Sequence, residues 1–121
     1  METERLGFDA IFVNDHIIVG DDARSAPWTN VYDPFVSMSF IAAHTTCIGV
    51  GVSVLIIPYR NPIETAKALA TLDRMPGGRV IAGIGVGWER SRVHRARRAV
   101  PRARRAHHRI STALAGMLGT G

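Results

Sequence analysis

The chain has 121 residues, 46% of them hydrophobic and 21% charged, with a formal net charge of +5, enough for one small domain with one core. No apolar run is long enough to span a bilayer, so no membrane partner is expected, and the start METERLGFDAIF lacks the basic-then-apolar pattern of a signal peptide. A single cysteine, Cys47, excludes an internal disulfide, and five scattered histidines show no metal-ligand spacing; the cytoplasm is the expected location.

The overall charge describes neither half of the chain. Residues 1–88 carry six basic and nine acidic groups, net −3, whereas residues 89–121 carry nine arginines and one acid, net +8. The first part reads as an ordinary α/β protein. The second is an Arg/Ala-rich, low-complexity tail, expected to be disordered or irregular.

In chain order, residues 1–6 resemble the last turns of a helix closed by Gly7, and Ala10–Val13 is a short buried strand. Residues 14–32 are polar and rich in Gly, Asp, Ser and Pro, which predicts a long loop of the kind that is usually functional. Asp33-Pro34 is an N-cap followed by proline at the first helical position. It opens a helix with a stripe of Phe35, Met38, Ile41 and Ala42 that ends near His44. Residues 47–57 form a continuous apolar run, expected to be a strand covered on both faces with Cys47 packed within it. Asn61-Pro62 repeats the cap signature for a helix carrying Ala66, Leu69, Ala70 and Leu72, which stops at Pro76-Gly77-Gly78. Residues 79–83 are a third strand, followed by glycines alternating through Gly83, Gly85 and Gly87 to Trp88.

The order β-α-β-α-β, with crossovers of parallel-sheet length, fits part of a (β/α)8 barrel or part of a doubly wound sheet. In both, functional groups gather at the C-terminal ends of strands. Three clusters are therefore expected on one rim: Asn14-Asp15-His16, residues 53–59, and residues 85–88.

Within them, Asp15-His16 could hydrogen-bond a ligand carbonyl or move a proton, or could simply orient backbone. Gly83-x-Gly85-x-Gly87 either lets a ligand approach the backbone or marks a tightly packed strand; its spacing is not a dinucleotide fingerprint. The hydroxyl of Ser53, next to Val54, could meet a ligand or bond neighbouring backbone. His44, at a helix end, is expected to complement the last carbonyls. The arginine tail lacks interleaved aromatics and any helical stripe, so a nucleic-acid partner is not expected. A small α/β module with a basic arm binding nucleic acid non-specifically is the alternative reading.

Three segments, LGFDAIFVNDH, YDPFVSMSFIAAHTT and IGVGVSVLIIPYRNPIETAKALATLDRMPGGRVIAGIGVGW, together resemble the luciferase-like monooxygenase superfamily. Within it they are most similar to actinobacterial oxidoreductases using the deazaflavin coenzyme F-420. The resemblance covers about residues 4–88. It implies a partial TIM barrel that begins in the first helix and holds the second, third and fourth strands. It also implies hydride transfer or flavin-dependent oxidation of a small organic substrate, with F-420 as cofactor and FMN as the alternative, and a homodimer for the intact family. By position, Asp15 and His16 match the family's Asp-His, with His16 facing the cofactor ring as the candidate catalytic residue. Ser53 and Val54 match a bulge that often holds a non-prolyl cis peptide against the ring, and Gly85, Val86, Gly87 and Trp88 match the strand end beside the reactive centre. Some members place an acid where Trp88 stands, so proton donation by that route is not expected.

After GVGW the subfamily continues with a pattern similar to EFxALGVPFxERGxRTxEYL, whereas this chain continues with arginines. Back-translated from Arg92 and read one base forward, the tail permits EFTALGVPFRERGARTTEYL in order and without gaps. The expectation is that residues 89–121 are out-of-frame translation, and that the chain, as a fragment, is inactive alone.

Overall fold

The computed structural model describes residues 1–16 and 31–87. Most of the expected loop at 14–32, Trp88 and the arginine-rich segment 89–121 lie outside the described residues. The elements follow as α1 (Glu2–Arg5), β1 (Ala10–Val13), α2 (Pro34–Ala43), β2 (Gly49–Ile56), a 3-10 turn (Ile57–Tyr59), α3 (Pro62–Arg74) and β3 (Val80–Gly85). The strands form one parallel sheet in the order β1-β2-β3.

Both long helices start where local chemistry satisfies their free amides. Asp33 Oδ1 accepts from the amides of Phe35 (2.9 Å) and Val36 (3.1 Å), and Asn61 Oδ1 accepts from Ile63 (3.0 Å), in each case with proline at the first helical position. Each helix then returns the chain to a parallel strand and buries one stripe on the sheet. From α2 comes Met38, and from α3 Ala66, Leu69 and Leu72; they meet Val50, Val52 and Leu55 of β2, with Ile57 just beyond it. Val13, Val80 and Ile84 complete the same face from the neighbouring strands. Helix α2 is apolar around much of its circumference, so Val36 and Phe40, one turn apart, remain exposed on its outer side. His44 closes the helix as expected, its Nδ1 lying 2.8 Å from the Phe40 carbonyl oxygen.

On the opposite face of the sheet large apolar side chains stay exposed. Phe12 is 52% exposed there, Ile81 43% and Val54 41%. Each bulky side chain lies over a glycine of the adjacent strand. A Cβ on Gly51 would sit 2.5 Å from the Phe12 ring, one on Gly49 3.1 Å from Ile81 Cδ1, and one on Gly85 2.7 Å from Val54 Cγ2. The strands carry alternating bulk and absence of bulk, which lets three backbones pack with side chains lying flat across them.

At the N-terminal end of the sheet two long-range contacts set the strand boundaries. The Arg79 guanidinium donates to the carbonyls of Ala42, Thr45, Ile48 and Pro76 and to Thr45 Oγ1, at 2.7–3.2 Å, so one side chain closes the end of α2 and both loops leading into β2 and β3. Glu4 Oε1 accepts from the amides of Thr46 (2.9 Å), Cys47 (2.7 Å) and Ile48 (3.1 Å) and from the Cys47 thiol (3.2 Å). These amides turn toward Glu4 and do not enter the ladder, which begins where the Gly49 amide donates to the Asp9 carbonyl at 2.9 Å. Cys47 therefore sits exposed before the strand, which corrects the expectation of a packed strand cysteine. The third strand starts one residue later than expected and runs two residues further, because Ile84 and Gly85 pair with Leu55 and Ile56.

The three amides, Cys47 first, then Ile48 and Thr46, hold the Glu4 carboxyl down from 4.5 to about 2. A depressed folded-state pKa contributes stability that is fully present above pH 4.5 and is lost as pH falls toward 2. Glu4→Gln is expected to remove that increment. Urea midpoints of the two proteins should differ at neutral pH and converge through this window, and a constant gap down to about pH 2 would contradict it.

Candidate functional site

The C-terminal ends of the three strands form one continuous rim. β1 delivers Asn14, Asp15 and His16 directly after its last paired residue, Val13. Asp15 is 2% exposed, and its carboxylate is fully engaged within the chain. Oδ2 accepts from the Ile56 amide at 2.8 Å and from Arg60 Nε at 3.2 Å, while Oδ1 accepts from Arg60 Nη2 at 2.7 Å. Asp15 thus sews the end of β1 to the end of β2, with both oxygens facing protein donors. His16, the next residue, is half-buried at the rim.

In β2 the register shifts between Val52 and Leu55. The two residues in the shift, Ser53 and Val54, are exposed in an otherwise buried strand and joined by a cis peptide bond. The bulge places Val54 on the open face, above Gly85. This is the backbone feature that the resemblance implied at this position.

β3 ends at Gly85, followed by an exposed Val86 and by Gly87 at φ +73°. A Cβ on Gly87 would meet Ile56 Cγ2 at 3.1 Å, and one on Gly83 would meet the Val52 carbonyl oxygen at 2.7 Å. Of the two readings open for these glycines, close packing against the chain accounts for Gly83 and Gly85, because the space beside each is taken by β2. Trp88, expected to complete the cluster, lies outside the described residues.

The three clusters are therefore joined by direct contact: Asp15 to Ile56, Val54 to Gly85, and Ile56 to Gly87. Arg60 was not singled out in the sequence. Its signal was available, since it is one of six cations in residues 1–88 and stands just before the Asn61-Pro62 cap. Only the folded chain brings it to Asp15, 45 residues away.

The family model for luciferase-like monooxygenases matches residues 1–110. The chain belongs to the luciferase-like monooxygenase family. The chain is 35% identical over 89 residues to an F-420-dependent glucose-6-phosphate dehydrogenase of Amycolatopsis mediterranei, an alignment covering 72% of this chain and 25% of that protein. The corresponding dehydrogenase of Intrasporangium calvum is 37% identical over 93 residues, again covering 72% and 25%. The 4-hydroxyprotoasukamycin monooxygenase of Streptomyces nodosus subsp. asukaensis is 29% identical over 91 residues, covering 75% and 23%. The chain spans about a quarter of the length of these curated relatives.

Among solved structures, the oxygenating constituent of the 3,6-diketocamphane monooxygenase of Pseudomonas putida, a type II Baeyer-Villiger enzyme in complex with FMN, superposes with a TM-score of 0.70 at 19% identity. It covers 96% of this chain and 30% of that one. That likeness concerns the fold, and it decides between the two architectures the element order allowed: the sheet is part of a TIM barrel.

The cramped glycines give a graded expectation. In Gly85→Ala the new methyl meets the Val54 side chain, which can rotate; in Gly83→Ala it meets the Val52 carbonyl, which is held in the ladder. Gly83→Ala should cost about 1–3 kcal/mol, the range for overpacking, and Gly85→Ala clearly less. Chemical denaturation of both variants checks the order, and equal losses would contradict it.

Proposed function

We propose that this chain carries one side of a deazaflavin site, with coenzyme F-420 as the cofactor and FMN as the alternative, in an oxidoreductase acting on a small organic substrate. The observation that carries the reading is the Ser53-Val54 bulge. It opens backbone and a methyl-bearing side chain onto an apolar sheet face, next to a strand end bearing His16 and another bearing Val86. Two relatives whose names specify F-420 dependence support the choice of cofactor.

The residues present fit a planar heterocycle. Val54, exposed beside Gly85 where β2 and β3 end, gives it an apolar contact at the rim. When bound, a deazaflavin supplies two-electron hydride chemistry, which no side chain can supply. The chain's own part is orientation and protons. Ser53, Val54, Gly85, Val86 and Gly87 would hold the ring, together with Trp88, which the sequence adds to this set and which lies outside the described residues. Asp15 anchors the strand end that presents His16, and the His16 imidazole would hydrogen-bond the ring or exchange a proton with it. The described sheet covers only one side of such a ring, so the 121-residue chain alone is expected to give no turnover.

Two further parts of the proposal concern the whole protein. The exposed Val36 and Phe40 of α2 support a homodimer. No helix among the described residues is long and apolar enough to cross a membrane, and a cytoplasmic location is proposed on the free Cys47 thiol.

The test is a chimera. Residues 1–87 replace the corresponding segment of the Intrasporangium calvum dehydrogenase, and F-420 binding is followed by the coenzyme's fluorescence. The chimera is expected to bind F-420, and His16→Ala should weaken binding roughly tenfold, about 1.4 kcal/mol. A folded chimera that binds neither F-420 nor FMN would overturn the reading, and a preference for FMN would select the alternative. Sedimentation of the same preparation reads the dimer.

We propose also that residues 1–88 are the family domain and that residues 89–121 are read one base out of register. The uninterrupted family-like pattern in the next frame supports this; the in-frame family match itself runs past the boundary, to residue 110. The coding sequence across codons 89–112 decides it. Bases that fail to spell that pattern in the next frame would remove the proposal.

A further inference from the structure

Arg60 is 13% exposed at its side chain and sits where three parts of the fold converge. Its guanidinium grips both oxygens of the buried Asp15. One of its nitrogens lies 3.7 Å from Oδ2 of Asp33, whose other oxygen caps α2, and its central carbon stands 4.8 Å from the Phe35 ring centroid. Asp15 in turn holds the Ile56 amide. One planar cation therefore ties the end of β1, the end of β2 and the start of α2 into a single rigid corner.

We propose that Arg60 is a positioning residue: by holding Asp15 in a two-point grip it fixes the backbone from which His16 projects, without itself being part of the rim's open face. A carboxylate held at one oxygen can swing about its Cβ–Cγ bond. Held at both by a flat guanidinium, and by an amide from the next strand, it cannot. The residue one bond further along, His16, inherits that constraint. Arg60 thus acts, from 45 residues away in sequence, on the direction in which the imidazole leaves the rim.

The proposal rests on the reading of the rim as a ligand site only for its consequence. The placement of His16 is a property of the cofactor-free chain and is measured there, so its failure and the failure of cofactor binding are separate results. Lysine at position 60 keeps the charge and the stem but offers a single point of attachment. In the 121-residue chain, three-bond couplings across the His16 side chain are expected to report one χ1 rotamer in the wild type and averaged rotamers in Arg60→Lys. The Ile56 amide should exchange with solvent roughly tenfold faster or more, the scale of one charge-assisted hydrogen bond, while the Leu69 amide in the core is unchanged.

Asp33→Asn is the control. Asparagine still caps α2, and the long contact to Arg60 is worth little, so His16 should keep its rotamer. A single His16 rotamer in Arg60→Lys, averaging already present in the wild type, or equal averaging in Asp33→Asn would each overturn the proposal. So would Ile56 and Leu69 exchange rising together, or an unfolded Arg60→Lys chain, because Arg60 would then be a support of the whole fold.

Discussion

A buried carboxylate that has no access to water must be met by donors on all sides, and Asp15 meets that requirement with atoms from two other parts of the chain. The arrangement forces the ends of β1 and β2 into contact, and it cannot be satisfied if β2 ends elsewhere. The bulge at Ser53-Val54 lies three residues before the Ile56 amide that Asp15 holds, so the register shift is pinned from its far side. Gly85 and Gly87 then follow, since the side chains of Val54 and Ile56 occupy the space their own would need. The rim is a chain of dependencies that begins at one charged group.

The opposite end of the sheet uses the same device in mirror image. There a cation, Arg79, collects carbonyl groups left unpaired where α2 ends, and an anion, Glu4, collects amides left unpaired before β2 begins. Each places a charge against backbone dipoles of the right sign. Between the two ends the packing is apolar on the helix side and deliberately sparse on the other. That difference gives the sheet one face committed to the core and one face on which large apolar side chains stay exposed.

The functional reading and the fold draw on the same features but not with equal force. Family membership comes from the match over residues 1–110, and barrel geometry from the superposition. Neither needs His16 to act on a cofactor. The roles given to His16, Ser53, Val54 and the strand-end glycines rest on their meeting at one rim, and the choice of deazaflavin rests on the relatives. The glycines show why the distinction matters: a pattern that suggests ligand approach in the sequence is filled by neighbouring strands in the fold.

The sequence by itself determined the elements whose causes are local. Asp33-Pro34 and Asn61-Pro62 start helices because an Asx side chain and a proline act within one turn, and β1 was legible to the residue because a short apolar run followed a glycine stop. The ordered family motifs carried the position of the bulge, which no local rule could supply. Tertiary structure alone decided what depends on partners more than thirty residues away. Cys47 looked like part of a strand because hydropathy runs unbroken from 47 to 57. Pairing begins only at Gly49, since Glu4 claims the three amides before it. Arg60 carries no mark in the sequence and Arg79 stands there only as the start of a strand, yet one holds a buried acid and the other closes a helix. Hydrogen-bond donors and acceptors carry no mark of their partner in the chain, and only the folded geometry brings the two within reach.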